Sequence, residues 1–182
     1  MLQFLAALDQ NILLWIQESV RHVFLTPIFI MITKLGNSGV IWIISAMVLM
    51  LSQKTRKVGI MVIIALGLTT LLNDMILKNI VARPRPYEVI PGLQYLIEKQ
   101  NSYSFPSGHS GSSFAAAVTI YLNLPKSYGI LAMILAALIA FSRLYLGVHY
   151  LSDILCGAII GSIIAALVYK TSKYMMQKEL IL

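Results

Sequence analysis

Ser142-Arg143-Leu144-Tyr145-Leu146-Gly147-Val148-His149-Tyr150-Leu151-Ser152-Asp153 puts an arginine, a histidine and an aspartate between two long apolar runs, residues 128–145 and 149–170. Runs of that length and character predict helices that cross a bilayer. Gly147 marks the turn between them. A histidine and an aspartate four residues apart are a weak signal by themselves, and Arg143, six residues before His149 across Gly147, strengthens it. Two upstream stretches share this character: Pro106-Ser107-Gly108-His109 and Lys78-Asn79-Ile80-Val81-Ala82-Arg83-Pro84-Arg85-Pro86. Together the three supply cations for a phosphate, one histidine to attack it and one to donate a proton.

The rest of the chain sets the surroundings. Of 182 residues, 58% are hydrophobic and 12% charged. A soluble domain could not hide that much apolar surface, so the chain reads as an integral, multi-pass membrane protein. The length suits one helical bundle. We therefore expect an all-α fold with about six transmembrane helices, forming a single domain over residues 1–182. The formal charge of +7 sits mostly beside apolar runs, where membrane anchoring and phosphate binding explain it. This argues against a nucleic-acid partner. The single Cys156 excludes an internal disulfide and a multi-cysteine metal site, and it reads as a packed, inert thiol. No metal and no cofactor are expected. The N-terminus lacks the basic region of a cleaved signal peptide, and Asp9, Gln10, Asn11, Gln17 and Glu18 interrupt it.

Along the chain, Leu5, Leu8, Ile12, Trp15 and Ile16 recur at helical spacing, with Asp9, Gln10 and Gln17 elsewhere. Residues 1–21 thus read as an amphipathic helix at the membrane surface. Runs 23–33 and 39–52 flank Gly36 and Gly39 and read as a helical hairpin. Residues 57–77 form a strong span. Residues 78–106 carry four prolines and read as a long loop, and 108–123 as a helix of small residues suited to close packing. Lys54, Arg56, Lys57, Lys126, Lys170, Lys173 and Lys178 fall at one end of this arrangement, which the positive-inside rule makes cytoplasmic. The three motif stretches then meet at the extracytoplasmic face.

The residue types fit phosphate chemistry. Arginine offers a planar fork to two oxygens and lysine a point charge, so Lys78, Arg85 and Arg143 are candidates to bind phosphate. Pro84 and Pro86 restrict the backbone around Arg85. Ser107 is a candidate N-cap, Gly108 permits close backbone approach, and His109 follows in the first helical turn, where backbone amides attract anions. His149 and Asp153 are spaced to share a helix face, so the carboxylate could fix the imidazole's tautomer. Asp74, four residues before Lys78, could aim that lysine or simply sit at the interface. Tyr87, Tyr95 and Tyr103 could form an aromatic belt or line a lipid entrance. His22 beside Arg21 reads as a solvated group. Arg83 receives no role.

These three stretches resemble the signature of the type 2 phosphatidic acid phosphatase superfamily. Its pattern Lys-x6-Arg-Pro, Pro-Ser-Gly-His, Ser-Arg-x5-His-x3-Asp is met at every motif position over residues 78–153. The resemblance implies a bundle shared with vanadium haloperoxidases and glucose-6-phosphatase. It also implies metal-independent hydrolysis of a lipid-linked phosphate through a phosphohistidine. His149 would be the nucleophile, Asp153 its orienting group and His109 the general acid. Lys78, Arg85 and Arg143 would bind the phosphoryl oxygens, with Ser107 and Gly108 completing the cradle. Size and the absence of extra domains favour a bacterial enzyme acting on undecaprenyl diphosphate. Phosphatidylglycerophosphate or phosphatidate is the alternative substrate. Two other readings, a vanadate-dependent haloperoxidase and a non-catalytic lipid-binding protein, are disfavoured by the membrane character and by the intact histidines respectively. The pattern says nothing of oligomeric state.

Overall fold

The computed structural model describes residues 2–179, and no strand occurs among them. Helix α1 spans Leu2–Trp15 and continues as a π-helical turn over Ile16–Val20. Helix α2 spans Leu25–Leu35 and α3 spans Val40–Leu51. Between them Asn37–Gly39 forms one 3-10 turn, in which Ser38 and Gly39 take left-handed φ values of 50° and 67°. The two helices are bent by 49° at this break. A hairpin would reverse the chain, so the expected hairpin is corrected to one broken course. The left-handed pair turns the axis only partway before helical geometry resumes.

Helix α4 spans Arg56–Thr70 and runs on through a π-helix, Leu71–Leu77, into the short α5, Lys78–Val81. Lys78 therefore sits on a helix, not in the long loop that the prolines predicted. Ala82 ends it in the left-handed region, and Pro86 starts the one-turn α6, Pro86–Val89. Helices α7 (Gly108–Asn123), α8 (Lys126–Tyr145) and α9 (Leu151–Glu179) complete the chain. Three helices are long and apolar enough to cross a membrane among the described residues, or four if α2 and α3 count as one bent span. The expected six are not reached on that measure, because α2 and α3 make at most one bent span and α7 has only 16 residues.

Helix α7 is the centre of the bundle. Ala115, Ala116 and Ala117 are wholly buried, and α7 packs on α4, α8 and α9. Between membrane helices lipid removes most of the hydrophobic drive, so close van der Waals approach must hold them. Gly157 and Gly161 of α9 provide it. A β-carbon on Gly161 would stand 2.2 Å from the Gly111 carbonyl oxygen, and one on Gly157 would stand 2.5 Å from that of Ser107. Trp42 of α3 adds a directional tie, its indole N–H donating to Ser113 Oγ at 3.0 Å. Outward faces are apolar, as in Met31, Val48, Leu131 and Leu167, which suits contact with lipid tails.

The first helix departs from its sequence reading in one respect. Phe4, Leu5, Leu8 and Trp15 are exposed, whereas Asp9 is buried. Leu13 and Ile16 join a core with Ile90, Leu144, Tyr145, Leu146 and Val148. The carboxylate thus points into the protein.

Candidate active site

The turn from α8 to α9 carries His149, two residues ahead of the helix that holds Asp153. His149 precedes α9, yet the pair still meets, with Nδ1 3.3 Å from Asp153 Oδ2. Both side chains are almost fully buried. Arg85 Nη1 lies 3.0 Å from His149 Nε2. A guanidinium can only donate, so Nε2 must accept and the ring proton belongs on Nδ1, facing the carboxylate. Burial pushes His149 down to about 3; the Asp153 hydrogen bond opposes this, and the charges of Arg85 and Arg143 reinforce it. At neutral pH the ring is uncharged, and its unprotonated Nε2 accepts from Arg85 until a phosphate draws that guanidinium to its own oxygens.

The arginines are fixed by the backbone and by polar neighbours. Arg85 is the N-cap of α6, with its own N–H donating to Glu88 at 3.0 Å. Its side chain donates to the carbonyls of Val148 and Ser102, both at 2.8 Å, and to Ser102 Oγ at 3.1 Å. Arg143, in the last turn of α8, donates to Thr33 Oγ1 of α2 at 2.7 Å. Its Nε–H is buried with no hydrogen-bond partner among the described residues. Such a group costs free energy unless something arrives to accept from it. Lys78 Nζ lies 2.5 Å from Asp74 Oδ1, which answers the question left open for Asp74: it pairs with the lysine.

Ser107 is the N-cap of α7, its hydroxyl accepting from the Ser110 N–H at 3.4 Å. Its backbone N–H donates to the Asp153 carbonyl at 3.0 Å, tying the start of α7 to α9. A β-carbon on Gly108 would stand 2.7 Å from Asp74 Oδ1, so glycine lets α7 begin against the Asp74–Lys78 pair without displacing that carboxylate. His109 follows, its Nε2 3.0 Å from Asn37 Oδ1 at the bend between α2 and α3.

A cleft of about 810 Å³ gathers most of these groups. Lys78, Arg85, Gly108, His109, Arg143 and His149 line it, and Ile43, Ile63, Leu66, Leu71 and Met75 form an apolar wall from α3, α4 and the π-helix. Two of the sequence candidates stand behind this surface. Asp153 reaches the cleft only through His149, and the Ser107 side chain is buried in its capping role. Among the described residues no three His, Cys, Asp or Glu side chains group to hold a metal ion.

The structure adds residues that the sequence reading passed over. Ser104 Oγ donates to Asp153 Oδ2, and the Tyr150 N–H donates to the same oxygen at 3.0 Å. Arg83 Nη1 holds Asp153 Oδ1 at 2.7 Å, while its Nη2 reaches Asp9 Oδ2 at 2.8 Å. A signal for this last pair existed: a lone carboxylate in an apolar helix demands a cation somewhere. For Asn37 no local pattern marks a partner of His109.

The chain is similar in sequence and fold to known membrane phosphatases. The sequence model described as the PAP2 superfamily matches residues 55–177. An undecaprenyl-diphosphatase of Sulfolobus acidocaldarius is 34% identical over 143 residues, covering 79% of this chain and 68% of the relative. Phosphatidylglycerophosphatase B of Bacillus subtilis is 30% identical over 162 residues, covering 82% and 76%. Among solved structures, the PAP2-type phosphatidylglycerolphosphate phosphatase from Bacillus subtilis superposes with a TM-score of 0.77 at 28% identity, covering 93% of this chain and 86% of that one. Aquifex aeolicus LpxE gives 0.79 at 27% identity, covering 88% and 93%.

Proposed function

This chain belongs to the PAP2 superfamily and is a membrane-embedded lipid phosphatase, and from that premise we propose how and where it acts. It cleaves a lipid-linked phosphate or diphosphate without a metal, through a phosphohistidine on His149. The observation that carries this reading is the ordered line Arg85–His149–Asp153: a neutral ring proton-paired to a carboxylate on one nitrogen, with the other nitrogen presented into the cleft beside arginines.

In the first step the Nε2 lone pair of His149 forms a bond to phosphorus. The bond from phosphorus to the lipid-side oxygen breaks, and that oxygen leaves with the electron pair and takes a proton from His109. Asp153 stabilises the positive charge that develops on the imidazole. In the second step water attacks the phosphohistidine and gives a proton back to His109. The P–N electrons return to Nε2, and inorganic phosphate is released. Lys78, Arg85 and Arg143 neutralise the phosphoryl oxygens throughout, and the orphaned Arg143 Nε–H gains its acceptor there. Gly108 brings the amide-rich start of α7 to the same point, and Ser107 acts by capping that helix.

The substrate we favour is undecaprenyl diphosphate, which the likeness to the Sulfolobus relative supports. The apolar wall of the cleft suits a long isoprenoid chain. Phosphatidylglycerophosphate is the second reading, supported by the Bacillus relative. We place the site at the extracytoplasmic face. The support is that Lys54, Arg56, Lys57, Lys126, Lys170 and Lys173 belong to the helix ends and turns remote from His149.

The test is chemical capture. Rapid quenching of wild-type enzyme turning over a ³²P-labelled lipid diphosphate should yield an acid-labile phosphoenzyme, and His149→Ala should yield none while losing several powers of ten in kcat. A His149→Ala enzyme with a tenth of wild-type activity would defeat the assignment.

A further inference from the structure

Arg83 lies outside the cleft, yet it touches the catalytic carboxylate more closely than His149 does. Its Nη1 is 2.7 Å from Asp153 Oδ1, against 3.3 Å for His149 Nδ1 to Oδ2. The same Nη1 donates to Ser152 Oγ at 2.7 Å, and Nη2 donates to Asp9 Oδ2 at 2.8 Å. Asp9 in turn accepts the Ser152 N–H at 2.9 Å on Oδ1 and the Ser152 hydroxyl at 2.5 Å on Oδ2. The guanidinium carbon sits 3.7 Å over the Tyr150 ring, the residue whose N–H also holds Asp153. Charge therefore alternates along a line from α1 to the site: Asp9 negative, Arg83 positive, Asp153 negative, His149 beyond.

We propose that Arg83, braced by Asp9 of the first helix, is a positioning residue that locks one oxygen of Asp153 and sets how much negative charge the other presents to His149. The inference rests on the phosphohistidine reading above. Its physical content is a balance between the two steps. Forming the P–N bond makes the imidazole positive, and a more negative Asp153 helps that step. Breaking the bond returns the electrons to Nε2, and the same negative charge then retards it by stabilising the phosphorylated ring. Arg83 tempers Asp153 so that the intermediate does not persist. Asp9 prevents Arg83 from tempering it too far. The other charged or titratable groups near this cluster are Arg85 at the start of α6, Arg143 of α8, and Lys78 and His109 across the cleft, with Tyr150 under the Arg83 guanidinium and Cys156 of α9 beside Asp153, Arg83 and Asp9. The cleft-lining groups sit on the His149 side. Arg83 is the cation on Asp153's far oxygen.

The experiment measures partition between the steps. Full-length enzyme in detergent micelles turns over a labelled polyprenyl diphosphate, and the steady-state fraction trapped as phosphoenzyme is quantified beside kcat and KM. Arg83→Gln alone would strand two carboxylates, so it is made in an Asp9→Asn background. This double variant should raise the phosphoenzyme fraction at least threefold, with kcat and KM falling together. Asp9→Asn alone should lower kcat/KM with no rise in phosphoenzyme. Arg83→Lys, which keeps the charge and loses the fork, should hold the wild-type fraction even if its Tm drops. If the double variant stays folded and loses kcat with phosphoenzyme fraction and KM unchanged, Arg83 is mere scaffolding and the inference is overturned. If no phosphoenzyme forms in wild type or any variant, the underlying reading fails and takes the inference with it.

Discussion

Replacing Asp153 by asparagine isolates the charge behind the nucleophile at nearly constant volume. Asp153 accepts from four donors: Arg83 on Oδ1, and His149, Tyr150 and Ser104 on Oδ2. An asparagine has one acceptor oxygen, so its NH₂ must face either Arg83 or the His149 side. In the second case the imidazole is driven to the other tautomer and Nε2 no longer carries a free lone pair. In the first the orientation survives, but the imidazolium developing in the transition state loses a buried counter-charge. Removing one partner of a buried charged pair costs about 3–5 kcal/mol. Asp153 is 0% and His149 2% exposed, so solvent does little to soften the loss. At tenfold per 1.36 kcal/mol, kcat should fall by about 10² to 5 × 10³. KM should move little, because Asp153 lies behind the cleft lining. The assay is phosphate release by purified enzyme in detergent, with size-exclusion profile and Tm confirming a folded variant. An Asp153→Asn enzyme that is folded and keeps more than a tenth of wild-type kcat would refute the reasoning.

Further outcomes follow from the same geometry. Gly161→Ala drives a methyl group to 2.2 Å from the Gly111 carbonyl, so α7 and α9 must separate at a cost of about 1–3 kcal/mol; Tm should drop, whereas Gly67→Ala, with nothing within 4 Å, should leave it unchanged or raised. Phosphatase activity should persist in excess EDTA, since three side-chain cations meet the phosphate, and vanadate should inhibit; activity lost to EDTA and regained with magnesium would count against metal independence. His109→Ala should damage hydrolysis of a lipid monophosphate more than of the matching diphosphate, because a departing lipid phosphate needs less protonation than a departing alkoxide; equal losses of kcat/KM would demote His109 to a phosphate-positioning role. A cysteine at the exposed Lys99 in a Cys156→Ser background should react with an impermeant thiol reagent in intact cells, and labelling only after lysis would invert the orientation.

Much of this protein is legible in one dimension. The apolar runs at 57–77, 128–145 and 149–170 mark the long helices, because a bilayer imposes its thickness on any segment that crosses it. Lys78, Arg85, His109, Arg143 and His149 were singled out by chemistry and spacing, and all of them reach one cleft. What the sequence could not decide depends on contacts between distant segments. The bend at Asn37–Gly39 joins α2, which packs on α8, to α3, which packs on α4, and local glycines alone do not specify that pairing. Lys78 stays helical because the α4 axis continues through the π-helix despite the prolines downstream. Asp9 and Arg83 are 74 residues apart, and nothing local to either tells that one neutralises the other. Helical periodicity reads α1 as an amphipathic helix at the membrane surface, with Asp9, Gln10 and Gln17 away from its apolar stripe. In this bundle apolar side chains can face lipid and a carboxylate can face protein, so the burial of Asp9 is decided only when the tertiary fold brings Arg83 and Ser152 to meet it.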